Sequence, residues 1–124
     1  MSKKRILVVD DSASIRREVS ETLSGAGFEV IEAENGVVGA ERIASEPDLS
    51  LVLCDIHMPR LNGLEMVAQV KSKPEHESLP VLMLTSETQP AFIKKAKEVG
   101  ARGWVVKPFA PSQLIAAVSK LAGK

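Results

Sequence analysis

The sequence predicts an α/β fold: a doubly wound parallel sheet of five strands with helices on both faces. Three observations predict it. Five short apolar runs alternate with five helical patterns, the connections are short, and the third run is apolar at almost every position, as a strand covered on both faces would be. Parallel strands joined by helices imply right-handed crossovers. Of the two common doubly wound orders, 2-1-3-4-5 suits five strands, and it sets the first and third side by side where the order reverses.

Each element has its own signal. Arg5 to Val9 is a continuous apolar run, and Ser12 can cap a helix that carries Ile15, Val19 and Leu23 on one face before Gly25 and Gly27 stop it. Glu29 to Ala33 follows as a strand, Asn35 as a cap, and Val37, Ala40 and Ala44 as a weaker apolar stripe that ends before Pro47. Leu49 to Cys54 reads as the central strand. Beyond it, Pro59 and the Asn62-Gly63 turn lead into a helix bearing Leu64, Val67 and Val70. Val81 to Leu84 precedes a helix from about Pro90, with Phe92, Ile93, Ala96 and Val99 inward and Gly100 at its end. Gly103 to Val106 precedes a last helix with Leu114, Ile115, Val118 and Leu121 on its apolar face. The arrangement is flavodoxin-like, and it is expected to fill residues 1–124 as a single domain without an output domain.

Sixteen basic and sixteen acidic residues cancel, which argues against a protein that coats nucleic acid or an anionic membrane. No apolar run is long enough to span a bilayer, and Met1 to Arg5 is too short for a signal peptide's charged region and apolar stretch, so a cytoplasmic location is expected. The single cysteine, Cys54, cannot form an internal disulfide, and in so apolar a strand it reads as a small core residue. His76 sits in a polar loop and receives no role. Lys94, Lys95 and Lys97 read as the solvated face of a helix rather than a docking patch.

The chemistry gathers at the strand ends. Asp10 and Asp11 end the first run, Asp55 the third, Thr85 the fourth and Lys107 the fifth; in an open parallel sheet these ends converge on one crevice at the switch point. Three carboxylates brought together repel, so at least one pKa should rise and a hard divalent cation would relieve the strain. Magnesium suits oxygen ligands and phosphate, whereas His57 and His76 are too few for a zinc set. A carboxylate in such a site can attack phosphorus, with cation and lysine neutralising the repulsion between two anions. Asp55 is the best nucleophile. Asp10 and Asp11 would hold the metal, Lys107 would pair with a phosphoryl oxygen, and Thr85 would donate its hydroxyl to another. Ser86 is small enough to leave room for a donor.

The motifs Val8-Val9-Asp10-Asp11-Ser12, Asp55-Ile56-His57-Met58-Pro59 with Gly63, Thr85-Ser86 and Lys107-Pro108-Phe109 together resemble the receiver domain of two-component response regulators, over the whole chain. The resemblance implies that Asp55 accepts phosphate from a histidine kinase, that Asp10, Asp11, Asp55 and the backbone carbonyl of His57 bind Mg2+, and that the Lys107–Pro108 peptide is cis. It implies a phosphoacceptor that assists its own phosphotransfer and dephosphorylation, with His57 and Glu87 tuning the hydrolytic water, and not a turnover enzyme. The sequence is most similar to stand-alone chemotaxis-type (CheY-like) receivers, on Arg16 after the acidic pair and on the run Gly100 to Phe109. That implies a monomer whose output face, formed by the fourth helix, fifth strand and fifth helix, meets a flagellar motor switch protein or another target, with a phosphatase as a further partner. Trp104 departs from the tyrosine or phenylalanine of many such receivers. It resembles the tryptophan-bearing subset, which points to movement of the loop from Thr85 to Gln89 and the following helix as the switching element.

Stand-alone phosphorelay intermediates and phosphate sinks share much of this pattern and stay open as alternatives. An aspartate-nucleophile phosphatase would carry an Asp-x-Asp loop and a cap, and neither is present. A flavin module of the same fold would need aromatic residues to sandwich the ring, and the chain has no tyrosine and one tryptophan. A degenerate receiver is disfavoured by the intact set of acids, Thr85 and Lys107.

Overall fold

Branched aliphatic side chains crowd a helix but suit a pleated surface. The five runs rich in them form five strands in the computed structural model, which describes residues 3–123. Residues 1, 2 and 124, the extremes of the expected domain, lie outside the described residues, as does the start of the Met1 to Arg5 opening. In chain order the elements are β1 (Arg5–Val9), α1 (Ala13–Gly25), β2 (Glu29–Ala33), α2 (Gly36–Ser45), β3 (Leu49–Cys54), α3 (Gly63–Lys71), a short 3-10 helix (Pro74–His76), β4 (Val81–Thr85), α4 (Pro90–Glu98), β5 (Gly103–Val106) and α5 (Pro111–Ala122). The strands are all parallel, in the order β2-β1-β3-β4-β5, the flavodoxin-like arrangement.

Side-chain alternation along each strand splits the interior into two layers. Ile6, Val8, Leu51, Leu53, Leu82 and Leu84 face one side, where Val19 and Leu23 of α1 and Leu114 and Val118 of α5 cover them. Leu7, Val9, Val52, Cys54, Val81 and Met83 face the other, against Ile43 of α2, Met66, Val67 and Val70 of α3 and Ala96 of α4. Every position of β4 is buried, and in β1 and β3 only the first residues are not. This is why those runs lack polar alternation.

The inner face of α2 differs from the one its spacing suggests, whereas α3 and α4 pack Leu64, Phe92 and Val99 against the core as their spacing predicts. In α2 the buried positions are Gly36, Gly39 and Ile43, while Val37 and Ala40 are half-buried and Ala44 is exposed. The reason is close packing: a Cβ on Gly39 would lie 2.8 Å from the Met66 sulfur and 3.0 Å from Val9, so α2 rests on the sheet through glycine. In α3 Met66 takes the buried place beside Val67 and Val70, and Leu64 is half-buried. In α4 only Ala96 is fully buried; Phe92, Ile93 and Val99 are partly covered. β4 continues one residue past Leu84 to Thr85, which carries the hydroxyl into the sheet's register opposite Val106. Among the described residues, no helix is long and apolar enough to cross a membrane.

The loop after β3 is fixed to the site by Gly63. Its N–H donates to the Ile56 carbonyl at 2.8 Å, and a Cβ there would fall 1.9 Å from the Asp55 carbonyl oxygen. Asn62 caps α3 by accepting from Glu65 N–H, while the Glu65 side chain accepts from Asn62 N–H. The turn leading in holds Arg60 at φ 70°, in the left-handed region.

Candidate functional site

β1 and β3 are neighbours, with Val9 registered to Cys54, so the residues that follow them leave the sheet side by side. Asp55 N–H donates to the Val9 carbonyl at 3.0 Å, and Asp10 N–H donates to the Ala33 carbonyl at 3.1 Å. On the far side, Lys107 N–H donates to the Thr85 carbonyl at 2.9 Å, which carries the end of β5 back toward the crevice. The Lys107–Pro108 peptide is cis, as expected.

Lys107 links the acids. Its Nζ donates to Asp10 Oδ2 at 2.6 Å and to Asp55 Oδ2 at 3.0 Å, from a side chain 14% exposed. Ligand oxygens of Asp10, Asp11 and Asp55 all lie within 4.8 Å of one another. Asp10 is fully buried, Asp55 nearly so, and Asp11 is exposed, which opens the cluster to solvent. Asp10 Oδ1 accepts from Ser12 N–H at 2.9 Å, and Asp55 Oδ1 accepts from Ile56 N–H at 2.7 Å.

Burial pushes the Asp10 carboxyl above the usual carboxylate range, and the neighbouring Asp55 charge adds to this; Lys107 and the Ser12 N–H pull back without cancelling it. Burial also works against the Lys107 ammonium, but hydrogen bonds to Asp10 and Asp55 outweigh it and hold that group above its ordinary value. Three carboxylates and one ammonium leave two formal negative charges, which a divalent cation would balance. All three donors are hard oxygens and one is open to water. The residues therefore fit magnesium.

Thr85, the last residue of β4, is fully buried. Its Oγ1 accepts from Glu87 N–H at 3.3 Å, and Ser86 between them is exposed. Glu87 joins several parts of the site rim. Its Oε1 accepts from His57 Nε2 at 2.8 Å, its Oε2 accepts from Gln89 N–H at 3.0 Å, and its carbonyl accepts from Trp104 Nε1 at 3.1 Å. The hydrogen bond from His57, with that from Gln89, holds the Glu87 carboxyl below its usual range. The His57 ring meets Phe92 edge-on, with centroids 5.4 Å apart. Pro108 is exposed beyond the cis peptide.

The strand ends thus bring Asp10, Asp11, Asp55 and Lys107 into one cluster, with Thr85 adjoining through β4. Two features were not read from the sequence. The contact between His57 and Glu87 spans thirty positions, and neither residue has a periodic or motif signal of pairing. Arg16, noted only for its place after the acidic pair, donates from Nη1 to the Asp10 carbonyl at 2.5 Å. An arginine four residues after Ser12, at the depth of the first helical turn, was the available clue.

Residues 6–119 match the family model described as the response regulator receiver domain. The chemotaxis protein CheY1 of Helicobacter pylori (strain ATCC 700392 / 26695) is 39% identical over 111 residues, 89% of this chain and 90% of that protein. The chemotaxis protein CheY homolog of Campylobacter jejuni subsp. jejuni serotype O:2 is 37% identical over 111 residues, 89% of this chain and 85% of that protein. The solved structure of the chemotaxis response regulator CheY4 of Vibrio cholerae superposes with a TM-score of 0.89 at 38% identity, covering 97% of this chain and 99% of that one.

Proposed function

The chain belongs to the response regulator receiver family, and on that premise we propose that Asp55 accepts a phosphoryl group from a histidine kinase and that the resulting acyl phosphate switches the protein's surface. Receiver domains are phosphoacceptors of two-component signalling, so a kinase donor and a downstream target are implied. The observation that carries the assignment to Asp55 is the Lys107 ammonium shared between Asp55 and Asp10 at the switch point. It leaves Asp55 nearly buried and charge-compensated, at the end of the strand that neighbours β4.

In the transfer, a carboxylate oxygen of Asp55 bonds to phosphorus as the bond from phosphorus to the donor imidazole breaks. Lys107 exchanges its contact with Asp55 Oδ2 for one with a phosphoryl oxygen, and it keeps Asp10 as its anchor. Thr85 Oγ1 accepts a hydrogen bond from Glu87, so its own proton is free to be donated to the phosphoryl group. Magnesium would be held by the side chains of Asp10, Asp11 and Asp55 and, by the family pattern, the His57 carbonyl, and when bound it supplies positive charge against the phosphoryl oxygens. The His57–Glu87 pair lies on the rim, where it would tune access of the hydrolytic water.

The output path runs through the loop after β4. Drawing Thr85 toward a phosphoryl oxygen loads its bond to Glu87 N–H, and Glu87 is tied through its carbonyl to Trp104 of β5. The surface changed is that of α4, β5 and α5. The likeness to chemotaxis proteins favours a role in chemotaxis, and the target we propose is a flagellar motor switch protein. A small-molecule phosphodonor should add the mass of one phosphoryl group in the presence of magnesium, and little without it. Magnesium-independent uptake, or none even from a cognate kinase, would contradict the reading.

A further inference from the structure

Asp11 is the exposed member of the acidic cluster, and its carboxylate has no hydrogen bond or ion pair with any described residue. Its position is therefore set through the main chain. The peptide joining Asp10 to Asp11 is planar, so whatever fixes its carbonyl also fixes where Asp11 begins. That carbonyl accepts from Arg16 Nη1. Arg16 is in turn anchored away from the site: its Nε donates to Glu32 Oε1 of β2 at 3.0 Å, and Glu32 Oε2 accepts from Ser20 Oγ at 3.3 Å. The Arg16 side chain is 16% exposed. A rigid planar fork can bond both acceptors at once, which a single ammonium on a flexible stem does poorly.

The rest of Asp10 is equally fixed. Its N–H donates to Ala33, and its two side-chain oxygens accept from Ser12 and Lys107. The peptide beyond Asp10 is held by Arg16.

We propose that Arg16 is a positioning residue that sets Asp11 for binding the divalent cation. The inference rests on the magnesium reading of the acidic cluster. Charge and position make opposite claims about it. A guanidinium near a cation site repels the cation, so if Arg16 acted by charge alone its removal would tighten binding. If it acts by holding the peptide, its removal weakens binding.

The test is an amide NMR titration of the full chain with magnesium chloride, comparing wild type, Arg16→Met and Arg16→Lys. Arg16→Met should lose affinity by about tenfold, the lower end of what loss of an outer partner costs a metal site, with amide positions away from the β1–α1 loop unchanged. Arg16→Lys keeps the charge and loses the fork, so it should fall between the two. Affinity in Arg16→Met equal to or above wild type overturns the proposal. Should Arg16→Met fail to fold, Arg16→Lys decides alone, and wild-type affinity there overturns it. A wild-type protein that binds no magnesium overturns the cation reading and this inference with it, whereas binding insensitive to Arg16 overturns only this inference.

Discussion

Lys107 works in two partnerships at once, and that doubles its value as a reporter of the site. With Asp10 as a buried anchor, the ammonium can leave Asp55 for a phosphoryl oxygen without travelling far. Lys107→Ala should therefore still take up phosphate at Asp55, yet phosphorylation should produce much smaller amide shifts on β5 and α5 than in wild type. Equal shifts in the two proteins would contradict the role given to Lys107. Trp104→Phe keeps an aromatic ring but removes the donor to the Glu87 carbonyl, and it should cost about 0.5–1.5 kcal/mol in urea denaturation. An unchanged midpoint would mean that water replaces the indole N–H at no cost. Asp10, Asp55, Thr85 and Lys107 were legible because strand ends gather by topology, and topology follows from apolar patterning. Glu87 was legible only as a tuning residue. Its contacts to His57, Gln89 and Trp104 depend on side-chain reach across three segments, which no local pattern encodes.

The strands were the most legible elements, because a run buried on both faces needs nothing but apolar residues. Helix faces were less so. In α2 the contact with the sheet is made by Gly39, and a glycine contributes nothing to an apolar stripe. The 3-10 helix at Pro74–His76 has too few residues to show a period. Glycine positions also give a clean pair of predictions. Gly63→Ala forces a Cβ into the Asp55 carbonyl and should cost at least about 2 kcal/mol, moving Asp55 with it. Gly25→Ala, where nothing lies within 4 Å and the residue is helical, should be neutral or stabilise by up to about 1 kcal/mol. Equal denaturation midpoints for the two variants would refute the packing argument.

For the molecule as a whole, a switch needs a rigid body and a movable part. Moving an equilibrium from 1:99 to 99:1 takes about 5.5 kcal/mol of differential stabilisation, and the contacts of one phosphoryl group with Lys107 and Thr85 would supply a share of it. The rigid body is the sheet, and Cys54 reports on it. That thiol is fully buried, and burial, with the Asp55 and Asp10 charges beside it, pushes its pKa far up. Labelling by a thiol reagent should proceed only as fast as global unfolding; rapid labelling of the folded protein would show that the core beside the site opens locally.

The central claim is that Asp55 itself carries the phosphate. Its most direct test is to phosphorylate the protein in magnesium, trap the acyl phosphate by borohydride reduction, and locate the reduced residue by peptide mass mapping, with Asp55→Asn as control. The account predicts reduction at Asp55 alone and none in the variant. Reduction at Asp10 or Asp11, or undiminished trapping in Asp55→Asn, would contradict it.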